Sequence, residues 1–302
     1  MIFEGLIGNN KIKNELSETI KSNNIPHSYL FIGDAGIGKK LFARQFAKAI
    51  LCLNEQKACG RCDSCIKFDG GNNPDYKEIE PDGNSLKISQ IRELQGKIYE
   101  KPISSNKKVI VIDDSDKMTE EAQNSLLKTL EEPPEYAVII LVATNENKLL
   151  NTIKSRCLKI NFLPIESSEI KQYIINKQMQ LLSDNILKLC NGSLGKITKI
   201  LEDIEPYNEV EKSTLMLIGG NIKNIINMFS SFQVLYDNKE IICDLLDYMI
   251  VLMYNEILKN PLVSDKWINS INAIDKAKIK LNGNANFDMC IDEVLLNIEE
   301  NM

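Results

Sequence analysis

Apolar residues in the first half of the chain fall into short, nearly unbroken runs rich in β-branched side chains: SYLFI at 28–32, KKVIVID at 107–113, YAVIILVA at 136–143 and LKINF at 158–162. Strands buried on both faces read this way, because each face of the pleat meets a packed layer, and such strands belong to parallel sheets with crossover helices. Between the runs the period changes to that of a helix. KKLFARQFAKAIL sets Leu41, Phe42, Phe46, Ala49 and Ile50 at helical spacing, and TEEAQNSLLKTLEEPP makes a second amphipathic helix stopped by Pro133 and Pro134. Together they predict an α/β domain with a parallel sheet over residues 1–163.

Past Pro164 the strand pattern fades. SSEIKQYIINKQMQLL, GGNIKNIINMFSSFQVLY and KEIICDLLDYMIVLMYNEILK all read as helices, and Pro206 with its polar neighbours in LEDIEPYNEV (201–210) interrupts the pattern. The expected organisation is therefore the α/β domain at 1–163, a small helical domain at 164–207 and a helical C-terminal domain at 208–302.

Composition changes this picture little: 43% of the 302 residues are apolar, ordinary for packed cores. The longest apolar run, 137–143, is far shorter than the ~20 residues that span a bilayer. The start, MIFEGLIGNNKIKNEL, lacks the unbroken apolar core of a signal peptide, so no membrane association and a cytoplasmic location are expected. The net charge of −6 repels nucleic acid at long range, so any DNA contact must come from a local basic patch or from partner subunits.

Candidate chemistry begins with GDAGIGKK at 33–40. A Gly-rich turn between a buried strand and a helix lets backbone N–H groups converge on phosphate, with a Lys as point charge. Gly33, Gly36, Gly38 and Lys39 stand where that geometry needs them. The full pattern ends in Ser or Thr, whose hydroxyl ligates Mg²⁺; Lys40 stands there instead, and an ammonium cannot ligate a metal. A turn that holds no ligand fits the bare motif equally well. VIVIDD places Asp113 and Asp114 at the end of an apolar strand, as expected where Mg²⁺ and water are oriented, although Asp is also common at turns.

The second motif is Cys52-x6-Cys59-x2-Cys62-x2-Cys65. Zn²⁺ takes four thiolates tetrahedrally, and x2 spacing lets neighbouring ligands close around one ion while Gly60 eases the turn. Four protein ligands leave no open position for water, so a structural zinc is expected.

The phosphate loop, the cysteine insert directly after its helix, DDSDKMTEEAQNSLLKTLEEPPE, SRC at 155–157 and NGSLGK at 191–196 together resemble bacterial clamp-loader subunits of the AAA+ class. The resemblance implies an AAA+ P-loop-type sheet domain with a zinc insert, a helical lid and a helical collar. Such proteins open a ring-shaped sliding clamp and close it around primed DNA. The implied partners are the gamma/tau and delta subunits of a DNA polymerase III holoenzyme, the clamp indirectly, and primer-template DNA through the complex. Motor subunits of the family have Ser or Thr at Lys40, Glu at Asp114 and an Arg shortly after the position of Gly192-Ser193, where this chain has Gly195 and Lys196. These departures touch the Mg²⁺ ligand, the water-orienting carboxylate and the γ-phosphate contact, and they speak against efficient hydrolysis by this chain. ATP and Mg²⁺ stay open as ligands, with Lys196 a partial substitute for the missing Arg. The resemblance makes Arg156 of SRC an arginine finger directed at a neighbour's nucleotide; a surface or interdomain ion pair is the plainer alternative. It also matches Thr144 and Asn145 to a sensor region. Two readings follow: a non-motor subunit that donates Arg156, or an ATP-hydrolysing motor that tolerates Lys40.

Overall fold

The computed structural model describes residues 2–222, 224–261, 264–283 and 285–301. They group into two compact units: the chain up to Lys177 together with Gly192–Gly195, and Gln178–Asn191 together with the chain from Lys196 onward.

The first unit runs α1 (Asn10–Lys21), β1 (Ser28–Ile32), α2 (Lys39–Leu51), α3 (Asp63–Asp69), β2 (Tyr76–Ile79), α4 (Ile88–Ile98), β3 (Lys108–Ile112), α5 (Glu120–Glu131), β4 (Ala137–Ala143), α6 (Asn151–Lys154), β5 (Leu158–Asn161) and α7 (Ser167–Asn176). Its strands form one sheet in the order β2-β3-β4-β1-β5, every neighbour parallel. Along β1 successive side chains go to opposite faces. Tyr29 and Phe31 pack with Leu16, Phe42 and Phe46 of α1 and α2. Leu30 and Ile32 pack with Leu94, Leu126 and Leu130 of α4 and α5. All five residues of β1 are buried, which is why its sequence reads as a continuous apolar run. α5 starts where Thr119 accepts the Ala122 N–H, with Glu120 and Glu121 beside the helix's positive end.

The sequence missed β2. Only Tyr76 and Ile79 of YKEI are apolar, because this strand lies at the sheet edge and is merely half buried. The strand is held by the residue before it. Asp75 is fully buried, and its carboxylate accepts the N–H groups of Ile103, Ser104 and Ser105 at 2.6, 2.7 and 2.7 Å. Its own carbonyl accepts from Val109 of β3 at 2.8 Å, so one residue ties the 100–108 loop to the sheet.

The second unit is helical: α8 (Asp184–Cys190), α9 (Leu194–Glu202, whose first two residues pack with the first unit), α10 (Glu205–Ile218), α11 (Ile225–Ser231), α12 (Gln233–Asp237), α13 (Ile242–Lys259), α14 (Ser264–Asn282) and α15 (Phe287–Glu300). α13 packs on α8, α10 and α14, and α14 on α15, around Tyr248, Met249, Trp267, Ile291 and Leu295. Two stretches expected as single helices are shorter. SSEIKQYIINKQMQLL stops at Asn176, just before Gln178 takes a left-handed φ of 54°. The helix expected over 219–236 is replaced by α11 and α12, which part at Phe232. Among the described residues no helix is long and apolar enough to cross a membrane.

Candidate functional site

The carboxyl ends of β1, β3 and β4 bring the phosphate loop, the Asp113–Asp116 turn and the Thr144 turn to one edge of the sheet, the side on which open α/β sheets hold ligands. The loop needs its glycines. Gly36 has φ +74°, and a Cβ there would come within 2.2 Å of Ser193 Oγ. Its carbonyl accepts the Gly195 N–H at 2.9 Å, so the NGSLGK segment packs directly on the loop.

Lys39 is buried and turned onto the loop itself, donating to the carbonyls of Gly33 at 2.7 Å and Asp34 at 2.6 Å. Burial lowers its pKa against the opposing pull of Asp113, Asp116, Asp114 and Asp34. Lys40 points the other way. Its Nζ lies 3.1 Å from Glu78, 2.8 Å from Glu80 and 3.0 Å from Asp113. Burial alone would lower its pKa, but the hydrogen bonds to Glu80, Asp113 and Glu78 outweigh that and raise it. Lys40 is a cation engaged with the very Asp that would face Mg²⁺. As they stand, the side chains of Lys40 and Asp113 do not fit an Mg²⁺ ion between them.

Asp114 sits in the left-handed region, φ 46°, with its carboxylate turned to Lys117 at 2.8 Å. The nearly buried Asp116 accepts the N–H groups of Thr144 at 3.1 Å and Asn145 at 3.2 Å, coupling the turn after β3 to the turn after β4. The Thr144 and Asn145 side chains are exposed, and the Asn145 amide oxygen accepts the Asn147 N–H.

Arg156 follows α6 and is one-third exposed. It pairs with Glu131 at the end of α5 at 2.7 Å and donates to the Thr152 carbonyl at 2.9 Å. Its backbone carbonyl accepts from Ser28 at the start of β1, which fixes its place relative to the sheet. Lys196 falls in the second unit, where it pairs with Asp244 of α13 at 2.8 Å.

Cys52 ends α2, Cys59 lies in the following loop, Cys62 caps α3 by accepting the Cys65 N–H, and Cys65 is in its first turn. The four sulfurs lie within 4.8 Å of one another, Cys52 and Cys62 at 3.9 Å, and no disulfide joins them. Thiolates ~2.3 Å from a shared tetrahedral ion stand ~3.8 Å apart, so the set fits a bound metal ion and is compatible with zinc. The Arg61 backbone N–H lowers the Cys59 pKa to about 6, whereas burial pushes the Cys65 thiol up to about 12, so the thiolate form of the whole set would depend on a bound cation. Asn73, buried, anchors the return from this insert by donating to the Ser64 carbonyl and hydroxyl at 2.9 and 3.0 Å.

Sequence reasoning brought Gly33, Gly36, Gly38, Lys39, Lys40, Asp113, Asp114, Thr144 and Asn145 to one edge, but it missed Glu78, Glu80, Asp116 and Glu131. The first two belong to or follow the unrecognised edge strand, and Glu131 meets Arg156 only through the tertiary fold. Asp116 carried a faint signal as the third carboxylate of DDSD.

Residues 8–166 match the family described as DNA polymerase III, delta subunit. The chain is 34% identical over 234 residues to DNA polymerase III subunit tau/gamma of Haemophilus influenzae, a match covering 72% of this chain and 34% of that protein. It is 34% identical over 188 residues to subunit delta' of Bacillus subtilis, covering 62% and 56%. It is 31% identical over 253 residues to subunit gamma of Buchnera aphidicola from Schizaphis graminum, covering 80% and 69%. The matches thus span about a third to just over half of the first of these relatives. A solved structure, a gamma-subunit-related protein of DNA polymerase III from Thermotoga maritima, shares the fold with a TM-score of 0.50 at 18% identity, over 95% of this chain and 99% of that one.

Proposed function

This chain belongs to the clamp-loader subunits of DNA polymerase III, and from that premise we propose that it is a subunit of the delta-prime type: a non-motor member of a cytoplasmic loader that places the sliding clamp on primed DNA. The observation that carries this reading is Lys40, which supplies an ammonium where a motor needs a hydroxyl and binds Asp113 to itself. Asp114, shorter than Glu and turned to Lys117, supports the same conclusion. The chain works beside gamma/tau and delta subunits and meets the clamp and primer-template DNA through the complex. Its three parts act as sheet domain (1–163), lid (164–207) and collar (208–302). A zinc ion held by Cys52, Cys59, Cys62 and Cys65 is structural: bound by four thiolates, it fixes the insert and supplies no chemistry.

The catalytic contribution is Arg156, given in trans. Glu131 holds the guanidinium at the surface in the free chain; in the loader Arg156 exchanges that carboxylate for the γ-phosphate of a neighbour's ATP. There its planar positive charge offsets charge developing on the transferred group, an effect of ~10³–10⁵ in rate where such fingers are known. Asp116 couples the backbone around Thr144 and Asn145 to the Asp113 turn at the carboxyl ends of β3 and β4, whereas Arg156 lies at the opposite end of the sheet, beside the start of β1.

The test is ATP turnover by a loader reconstituted from this chain with its gamma/tau and delta subunits. Arg156→Ala should leave the chain folded and assembled but lower turnover; unchanged turnover at saturating subunit sinks the finger assignment. Similarity to gamma and tau relatives favours the second reading, a motor subunit. Sustained ATP hydrolysis by the chain alone would establish it.

A further inference from the structure

The phosphate loop and its carboxylates disagree with the divalent ion that such a loop ordinarily serves, and the disagreement has a specific form. We infer that the Lys40 ammonium is the resident cation of this site: it gathers Glu78, Glu80 and Asp113 where a divalent ion would be held, and thereby excludes that ion.

An ammonium has three N–H donors and no acceptor. Here the Nζ donates to Glu80 Oε2 at 2.8 Å and stands within ion-pair distance of Glu78 Oε1 at 3.1 Å and Asp113 Oδ2 at 3.0 Å. The other Glu78 oxygen takes Arg44 Nε at 3.1 Å and the Tyr76 hydroxyl, so that carboxylate is also fully engaged.

The carboxylates are brought together by the sheet. β2 and β3 run parallel with Ile79 opposite Ile112, and Asp113 donates its N–H to the Ile79 carbonyl at 2.9 Å, so Asp113 and Glu80 leave adjacent strand ends side by side. Lys40, in the first turn of α2, reaches across to them. Glu78 and Asp113 side chains are only 17% and 16% exposed, and three carboxylates this close would repel one another without a cation among them. The edge strand, unremarkable in sequence, and the residue just beyond its end thus contribute two of the three groups, Glu78 and Glu80, that make Lys40 a fitted replacement rather than a lost ligand. Lys39 is likewise committed to Gly33 and Asp34, so the loop satisfies its own charges.

One substitution should therefore create a metal site. In Lys40→Thr the hydroxyl and the released carboxylates form a set of hard oxygen donors suited to Mg²⁺ or Mn²⁺.

The inference rests on the reading of this chain as a non-hydrolysing subunit, yet its test needs neither nucleotide nor partners, so the two can fail separately. Mn²⁺ binding is measured by electron paramagnetic resonance on the full, zinc-loaded chain. Wild type and Lys40→Arg should bind no Mn²⁺ that Asp113→Asn removes. Lys40→Thr should bind Mn²⁺ at least ~10-fold more tightly than wild type, because a positive charge has left a cluster of three negative ones. Lys40→Thr/Asp113→Asn should lose the gain. Wild-type Mn²⁺ binding that depends on Asp113, or a folded Lys40→Thr chain that gains none, overturns the inference. Circular dichroism reports folding. If Lys40→Thr does not fold, wild type against Asp113→Asn decides alone: Asp113-dependent binding refutes the resident cation, and its absence supports it.

Discussion

Asp75→Ala tests whether a single buried carboxylate holds the edge of the sheet domain. The side chain accepts three backbone N–H groups at 2.6–2.7 Å, and the Ser105 hydroxyl lies 3.0 Å from the same carboxylate. Bonds to a charged acceptor contribute ~1.5–3 kcal/mol each when fully buried. Ile103 is 76% exposed, so water can reach part of the loop once it loosens, and ~1 kcal/mol per lost N–H bond is the better figure. The total is ~3 kcal/mol, which for a unit of this size lowers the melting temperature by ~6–12 °C. Asp75→Asn keeps one acceptor oxygen and should lose about half as much. Thermal unfolding followed by circular dichroism gives the stability. Hydrogen exchange read by mass spectrometry on a peptide covering 100–108 localises it, with faster exchange at Ile103, Ser104 and Ser105. A melting temperature within ~1 °C of wild type, with unchanged exchange in that peptide, would refute the assignment of the loop to Asp75.

Metal analysis of the chain prepared without chelator should find one zinc per chain. Cys62→Ser should lose it and open the 52–65 insert to limited proteolysis; wild-type protein with no zinc defeats the four-thiolate site. Gly36→Ala should destabilise by ~1–3 kcal/mol, part from the left-handed backbone and part from the Ser193 hydroxyl in its way. Adding Ser193→Ala should recover only the second part in urea denaturation, and a Gly36→Ala midpoint equal to wild type would contradict the close packing of 192–195 on the loop.

Strands buried on both faces were legible because burial writes itself as β-branched runs: β1, β3 and β4 followed from them, while β5, read from LKINF as a buried strand, proves to be an edge strand in which only Ile160 is buried. β2 was not, since an edge strand that carries Lys77 and Glu78 has no apolar pattern to read. That omission propagated to the site. Lys40 could be seen to break the motif, but its partners Glu78 and Glu80 lie about forty positions away, in and just after an unrecognised strand, so the sequence showed a missing hydroxyl without the ion cluster that replaces it. The cysteines were the opposite case, because their ligand geometry is almost wholly local: the structure gathers Cys52, Cys59, Cys62 and Cys65 as the spacing demands. Arg156 was legible as part of SRC, whereas its partner Glu131 was not, because the ends of α5 and α6 meet only once the sheet is assembled.

Calorimetric titration of the isolated chain with ATP, with and without Mg²⁺, decides whether the loop is a working nucleotide site, since binding requires no neighbour's arginine. No Mg²⁺-dependent heat is expected at millimolar ATP, with Lys40 and its carboxylates closing the cation's place. Tight, Mg²⁺-dependent binding would contradict that expectation and return the chain to the motor subunits.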